Sequence, residues 1–391
     1  MKEFRKDLGL YIHIPFCVKK CDYCDFLSAP ADEETKHSYI KALIAEIKSY
    51  KDISREYLVK TIYIGGGTPS SVKGEYIEEV MDAIREVFTI PGIENTGYGK
   101  ESPEITIEVN PGTVTEEKLK SYLKAGINRL SFGLQSTDNK ELKLLGRIHT
   151  YETFLENYKL ARNMGFKNIN IDLMSGLPGQ TLSNWLNTLK TVINLNPEHI
   201  SAYSLILEEG TPFFSRYREE DLDEELDRTI YAETQKCLNK AGYYKYEISN
   251  YAKPGFESRH NTSYWIRTDY LGIGLGAASL LNNTRFQNVD DLTEYLRVST
   301  DYHNIHKIRE VLSVPRQMEE FMFLGLRMCK GISKKRFKDQ FGVSLESVYQ
   351  DVINKYLAKG LIGQKGDRIY LTDKGIDVSN MVLADFLLDT M

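Results

Sequence analysis

The sequence predicts an α/β protein, six β/α units around a parallel sheet followed by a small winged-helix-like appendage. Segments rich in β-branched and aromatic residues alternate with amphipathic stretches of 12 to 20 residues, the pattern of strands joined by crossover helices. Most of these strand segments are near-continuous apolar runs, which is how strands covered on both faces read. Beyond about residue 310 the rhythm changes to short helices and a hairpin, the order of a winged-helix-like unit.

Six strands are expected at Leu8–Phe16, Thr61–Gly65, Glu104–Val109, Arg129–Leu134, Asn168–Leu173 and His199–Leu205. Helices are expected between them at Lys36–Tyr50, Glu75–Phe88, Glu116–Ala125, Tyr151–Met164 and Thr181–Leu195. Thr115 and Ser183 read as helix caps, and Glu116 and Glu117 put negative charge in a first turn, where the helix dipole favours it. Gly92–Lys100 has turn composition without periodicity and reads as a surface loop. The appendage divides into helices at Pro315–Cys329, Lys334–Phe341 and Ser344–Lys359, then a hairpin over Leu361–Leu371 that turns at Lys365-Gly366-Asp367.

A chain of 391 residues has room for two or three domains, or for one α/β barrel with an attachment. Hydrophobic residues at 41% and charged residues at 27% fit an ordinary globular protein and exclude wholesale disorder. Fifty basic against 55 acidic side chains leave a net charge of −5, which offers no general footprint for nucleic acid or an anionic membrane. From Pro315 to Met391, 12 basic minus 10 acidic residues give +2, too weak a balance for DNA binding. No apolar run approaches the roughly 20 residues of a membrane span, and the opening MKEFRKDLGLYIHI lacks a secretory h-region. A cytoplasmic location is expected.

Five cysteines, three of them within eight residues, are too few and too unevenly placed for a disulfide framework. Cys17-Val-Lys-Lys-Cys21-Asp-Tyr-Cys24 follows the first strand. Three closely spaced thiolates on a loop can each ligate one iron of a cubane, leaving the fourth iron open to a substrate or cofactor. Structural zinc wants four protein ligands, and Cys237 and Cys329 form no second nearby pair. Gly65-Gly66-Gly67-Thr68-Pro69-Ser70 ends the second strand, where glycines let the backbone approach a ligand; a tight βα turn is the plainer alternative. Glu108, Gln135 and Asp172 end successive strands, on the face where α/β barrels place their sites.

With Tyr11-Ile-His-Ile-Pro-Phe-Cys17 before the cysteine motif and Tyr23-Cys24-Asp25-Phe26 after it, the sequence resembles the radical S-adenosylmethionine (SAM) superfamily. The context is that of the branch holding the oxygen-independent coproporphyrinogen III dehydrogenases and the HemW-like heme chaperones. The resemblance covers almost the whole chain. It implies a partial (β/α)6, TIM-like radical SAM barrel over residues 1–250, an extension over 251–310 and the small C-terminal domain over 311–391. It further implies a [4Fe-4S] cluster on Cys17, Cys21 and Cys24, with SAM on the unique iron. Gly66, Gly67 and Thr68 are then the motif that receives SAM, joined by Tyr11, Tyr23, Glu108, Gln135, Arg147 and Asp172. The chemistry implied is one-electron reduction of SAM to methionine and a 5′-deoxyadenosyl radical, fed by a donor such as a flavodoxin or ferredoxin.

The two branches differ at readable places. The dehydrogenases typically carry a further cysteine where this chain has Phe26, and a long N-terminal extension where ten residues precede Tyr11. HemW-like proteins carry an H-N-x-x-Y-W signature, present here as His260-Asn261-Thr-Ser-Tyr264-Trp265. The resemblance therefore implies binding of heme and its transfer to an acceptor protein, with membrane contact only through a membrane-bound acceptor. Oxidative decarboxylation of coproporphyrinogen III is the alternative. A winged-helix regulator with a redox-sensing cluster is a third reading, resting on the basic run Lys334-Lys335-Arg336-Phe337-Lys338. A neutral imidazole can ligate heme iron and aromatic faces can cover a porphyrin, so His260, Tyr264 and Trp265 are the heme candidates. The plainer reading is a satisfied histidine among core aromatics. His13 either faces the site or supports the cluster loop by hydrogen bonding. Gly272-Ile-Gly274-Leu-Gly276 contains G-x-G without the strand–helix context of a dinucleotide site, and close packing is its expected role.

Overall fold

The computed structural model describes residues 5–93, 102–299 and 302–388, so the expected Gly92–Lys100 loop lies outside the described residues from position 94 onward. Six parallel strands, β1 (Lys6–Ile14), β2 (Tyr57–Gly66), β3 (Glu104–Val109), β4 (Arg129–Gln135), β5 (Ile169–Ser175) and β6 (His199–Ser204), pair in chain order. The sheet then continues at both edges. β7 (Tyr244–Lys245) and β8 (Asn250–Ala252) add antiparallel beside β6. β9 (Tyr270–Ile273) joins β1 in parallel and is followed antiparallel by β10 (Ala278–Leu281), β11 (Thr284–Asn288) and β12 (His306–Val311). The result is one twelve-stranded sheet ordered β12-β11-β10-β9-β1-β2-β3-β4-β5-β6-β8-β7, open between β12 and β7. Strands β9 to β12, which begin within the expected extension, thus lengthen the barrel sheet.

The strands are not apolar on both faces, which corrects the sequence reading. Side chains alternate along a strand: Leu8, Leu10, Ile12 and Ile14 of β1 are buried in one core with Tyr39, Ile40, Leu43 and Ile47 of helix Glu33–Ser49. The intervening positions face the other way, where Tyr11 stacks on Tyr63, Tyr63 reaches Glu108, and Ser131 reaches Asp172. Ile62 and Ile64, Ile105 and Ile107, Leu130 and Phe132, and Ile169 and Ile171 repeat the apolar outer set on β2 to β5. The concave face is polar because it surrounds a site.

Helix Leu182–Leu195 is capped by Thr181, whose hydroxyl accepts from the Asn184 amide at 3.2 Å, and not by Ser183, which lies inside the helix. Thr115 caps its helix as expected. The C-terminal unit packs helices Val314–Gly325, Lys334–Phe341 and Leu345–Ala358 against a sheet ordered β13 (Ile332–Ser333), β15 (Arg368–Leu371), β14 (Ile362–Lys365). Its core of Phe321, Phe337, Tyr349, Tyr356 and Phe386 is separate from that of the barrel. Buried Glu320 ties the two together by accepting from Arg267 at 2.9 Å and Arg285 at 2.6 Å. No helix among the described residues is long and apolar enough to cross a membrane.

Candidate functional site

The cysteine loop leaves β1 and is pinned at both arms. The Cys17 amide donates to the Ala29 carbonyl at 3.2 Å and the Ala29 amide to Pro15 at 2.9 Å. The Asp22 amide donates to Leu145 at 3.1 Å, and the Asp22 carboxylate pairs with Arg216 at 2.6 Å. Between these anchors Cys17, Cys21 and Cys24 are free thiols, partly exposed. Burial, and then the nearby Cys21 and Cys17 thiols, push the Cys24 thiol up. Arg147 Nη1 donates to Cys21 Sγ at 3.4 Å, and the Thr68 hydroxyl lies 3.5 Å from Cys17 Sγ. Among the described residues no three His, Cys, Asp or Glu side chains converge closely enough for one metal ion. Three thiols spread along a loop suit a multi-iron cluster, where each sulfur takes its own iron, better than a single tetrahedral ion held at about 2.3 Å by every sulfur. The donor set therefore fits a [4Fe-4S] cluster.

Beside the loop, Gly66 has φ +113°, and a Cβ there would stand 2.5 Å from the His13 ring. Only glycine fits this position, so part of the glycine run serves the protein's own packing. The Gly66 amide and the Tyr63 hydroxyl donate to the two carboxylate oxygens of Glu108 at 3.1 and 2.8 Å. Burial pushes Glu108 up to about 7, and the charge of Asp172 adds to this. Asp172 is also raised by burial and accepts from Asn170 at 2.7 Å and Ser131 at 3.2 Å. Gln135 holds a left-handed φ of 72° and accepts from the Tyr203 hydroxyl at 3.4 Å. Such strain in a non-glycine residue costs of order 1–3 kcal/mol and collects at binding sites. Arg147 also donates to Asn110 Oδ1 at 2.8 Å and the Gly133 carbonyl at 2.5 Å, while its buried Nε has no partner. Asn110 donates in turn to the Thr68 hydroxyl at 2.8 Å. The Gly67 amide is anchored on the Ile14 carbonyl at 2.9 Å, and Tyr23 packs edge-on against Phe213.

His13 supports the loop. Its Nε2 faces the Leu27 carbonyl at 2.9 Å, which only accepts, so Nε2 carries the proton and Nδ1 accepts from the Tyr11 hydroxyl at 2.9 Å. Burial lowers its pKa and keeps it neutral.

The three heme candidates do not share one wall. A cavity of about 430 Å3 is lined by Tyr11, Tyr63, Glu108, His260 and Tyr264, with exposed Phe26 at its edge. His260 is buried there, stacked on Tyr63 at 5.2 Å, and both ring nitrogens are engaged: Nδ1 with the Thr61 hydroxyl and Nε2 with the Tyr264 hydroxyl, each at 2.8 Å. Burial, with Arg129 adding, lowers it to about 3. Glu104, the first residue of β3, accepts the Arg259 and His260 amides at 3.0 Å each and so fixes the N-terminus of helix Arg259–Trp265. Trp265 lines a different cavity at the C-terminal unit, with Arg327 over its ring at 4.7 Å. Helical geometry separates these neighbours: Tyr264 follows His260 by four residues and lies on its face, and the next residue is turned by about 100°.

Tyr63, Asn110, Glu104 and Arg129 were not singled out by sequence. A signal existed for two of them, because strict alternation in EITIEV places Glu104 and Glu108 on one face, and in TIYIG it turns Tyr63 toward that face.

A thiol loop on the first strand, a glycine turn on the second and carboxylates along the next strands of an open parallel barrel define a radical SAM protein. The family model described as the Radical SAM superfamily matches residues 11–192, and the HemN C-terminal domain model matches residues 312–378. The chain is 37% identical over 388 residues to the heme chaperone HemW of Lactococcus lactis subsp. lactis (strain IL1403), covering 98% of each chain. It is 37% identical over 384 residues to the heme chaperone HemW of Bacillus subtilis (strain 168), covering 96% of this chain and 98% of that one. The solved structure of coproporphyrinogen III oxidase (HemN) from Escherichia coli, described as a radical SAM enzyme, superposes with a TM-score of 0.85 at 25% identity, covering 100% of this chain and 92% of that one. The chain belongs to the HemW family of radical SAM proteins.

Proposed function

We propose that this protein is a heme chaperone that holds a [4Fe-4S] cluster and SAM, binds heme and passes it to an acceptor protein in the cytoplasm or, where the acceptor is membrane-bound, at the membrane. The observation that carries this reading is end-to-end similarity to HemW chains, 37% over 98% of both sequences. When bound and reduced, by a donor of the flavodoxin or ferredoxin type, the cluster supplies one electron to SAM.

The chain's own residues would act as follows. Cys17, Cys21 and Cys24 ligate the cluster, while Arg147 and the Thr68 hydroxyl offset charge on its sulfurs. Tyr11, Tyr23, Gly66, Gly67, Thr68, Glu108, Gln135, Arg147 and Asp172 surround SAM. The open hydrogen-bonding capacity of Arg147 Nε and the strained backbone of Gln135 support a ligand between them. Glu108, poised near 7, exchanges its proton with little cost when a charged group arrives. His260 and Tyr264, on the wall of the larger cavity, are the heme candidates, and a heme iron would reach His260 Nε2 only once the Tyr264 hydroxyl released it. Trp265, on another cavity, has no part in that wall.

Anaerobically reconstituted protein titrated with heme is expected to show a stoichiometric Soret change and to release heme to an apo heme protein, with no protoporphyrinogen formed from coproporphyrinogen III. Formation of protoporphyrinogen would replace this reading with the dehydrogenase one, which the likeness to the HemN structure at 25% identity fits, though less well than the 37% identity to HemW chains fits the chaperone.

A further inference from the structure

A second cavity, of about 110 Å3, opens where the segment after the His260 helix meets the C-terminal unit. Trp265 and Arg267 line it from one side, and Phe321, Lys330, Arg336 and Arg368 from the other. Its chemistry is one-sided. Arg267 is already paired with Glu320, but Lys330, Arg336 and Arg368 form no ion pair among the described residues. Arg336 donates to the Ile266 carbonyl, and Arg368 to those of Gly331 at 3.1 Å and Lys330 at 3.4 Å.

Two acids lie in the field of these cations without forming an ion pair with them, Asp367 near Arg368 and Glu257 near Lys330. Asp367 holds the Ser333 hydroxyl and the Lys335 amide, and Glu257, the acid in the field of Lys330, accepts from the Gly255 amide at 3.1 Å. Burial, and then the neighbouring cations, lower both Lys330 and Arg336. Trp265, whose ring is covered by the Arg327 guanidinium at 4.7 Å, lines the same cavity. Half-buried cations that line a cavity without an ion-pair partner are stabilised by an anion placed among them. Pockets for drug-sized ligands begin near 300 Å3, and a water occupies about 30 Å3. This one has room for a single tetrahedral oxyanion group and none for a porphyrin.

We propose that this cavity binds a phosphoryl-type dianion that bridges Lys330, Arg336 and Arg368 of the C-terminal unit to Arg267 of the barrel sheet's extension, beside the Trp265 ring. Three cations of one wall and one of the other then share one ligand, and its occupancy fastens the C-terminal unit. The basic run at Lys334–Lys338 takes its meaning from this arrangement: Lys334 pairs with Glu346 at 2.8 Å, Phe337 is core, and Arg336 turns into the cavity.

The chain has two tryptophans, and the other, Trp185, is buried and donates to Thr234 at 2.7 Å. Intrinsic fluorescence of the full chain titrated with inorganic phosphate, at ionic strength held constant with NaCl, therefore reads Trp265. A saturable change is expected, weakened at least about tenfold by Lys330→Gln with Arg368→Gln, since each removes a charge-assisted contact, and retained by Lys330→Arg. Trp265→Phe should abolish the signal while phosphate still raises Tm. No saturable change in the wild type, an undiminished one in the double variant, or an equal response to acetate would overturn the proposal. Should the double variant not fold, the phosphate-dependent rise in Tm of the wild type and of Trp265→Phe decides it, and its absence overturns the proposal.

Discussion

The two ends of the barrel treat their polar groups differently. Around the cysteine loop, Arg147 Nε is unpartnered, Gln135 is strained, the three thiols are partly open, and Val18 and Phe26 each expose more than half of their surface at 59%. Toward the first residues of β3 and β6, Glu104 is consumed by a helix N-terminus, His199 lies between Asn170 at 2.6 Å and the Tyr246 hydroxyl at 2.8 Å, and His260 lies between Thr61 and Tyr264. Exceptions such as Arg129 Nε and Asn168 Oδ1 exist at this end, but its histidines are closed. The comparison separates two meanings of a motif. The cysteine spacing produces groups with free valence, whereas the histidine signature produces a group whose valence is already taken.

The largest expected effect breaks the open end and spares the closed one. Single Cys17→Ser, Cys21→Ser and Cys24→Ser variants should lose cluster iron and SAM cleavage to the background of an iron assay and of 5′-deoxyadenosine chromatography. Their metal-free forms should keep wild-type stability within about 0.5 kcal/mol, as expected for partly exposed loop side chains. Retained iron in all three would end the cluster assignment.

These two regions were also unequally legible in the sequence. Cysteines three and four residues apart announce themselves because their spacing is covalent. Strand Glu104–Val109 and helix Lys334–Phe341 fall where periodicity put them. The strands β9 to β11 escaped notice because they are four or five residues long, too short for a period to show. Gly274 is there for a steric reason: a Cβ would stand 2.6 Å from the Tyr39 hydroxyl. The closed state of His260 was invisible for another cause, since its partner Thr61 lies 199 residues away and only the packing of helix Arg259–Trp265 on β2 brings it near. Ser183 and Thr181 are chemically equivalent caps, and helix geometry chose Thr181.

Two carboxylates sharpen the comparison through pH. Glu46, buried, is ringed by the Tyr295 hydroxyl at 2.5 Å, Asn288 at 2.8 Å and the Gly274 amide at 2.9 Å, and burial pushes it up to about 7, as it does Glu108. An unfolded glutamate titrates near 4.3. Between these values the folded chain keeps a proton that the unfolded chain has lost, so stability falls as pH rises from about 4.5 to 7, at up to about 1.4 kcal/mol per pH unit for each group. Glu46→Gln removes one of the two contributions. The stability of wild type minus variant, from urea melts, should decline from pH 5 to pH 7.5; a flat or rising difference would show that Glu46 stays ionised in the fold.

A smaller loss tests the closed end directly. His260→Ala strips partners from the Thr61 and Tyr264 hydroxyls and removes the stack on Tyr63, and should cost about 2–3 kcal/mol in a urea melt of metal-free protein. A cost below about 0.5 kcal/mol would mean that the ring is not the pin it looks to be.

The finest test decides whether the closed histidine opens. If heme iron takes His260 Nε2, loading must first break the 2.8 Å bond to the Tyr264 hydroxyl, at a net cost of about 1 kcal/mol. Tyr264→Phe removes that competitor while keeping the aromatic face, so it should tighten heme binding about fivefold by Soret titration. It should also lower the stability of the heme-free protein by a similar free energy. Unchanged heme affinity with that same loss of stability would place the iron elsewhere and leave His260 as a structural pin. The sign of the change in heme affinity separates the two, because a ligand gains from losing its competitor and a pin does not.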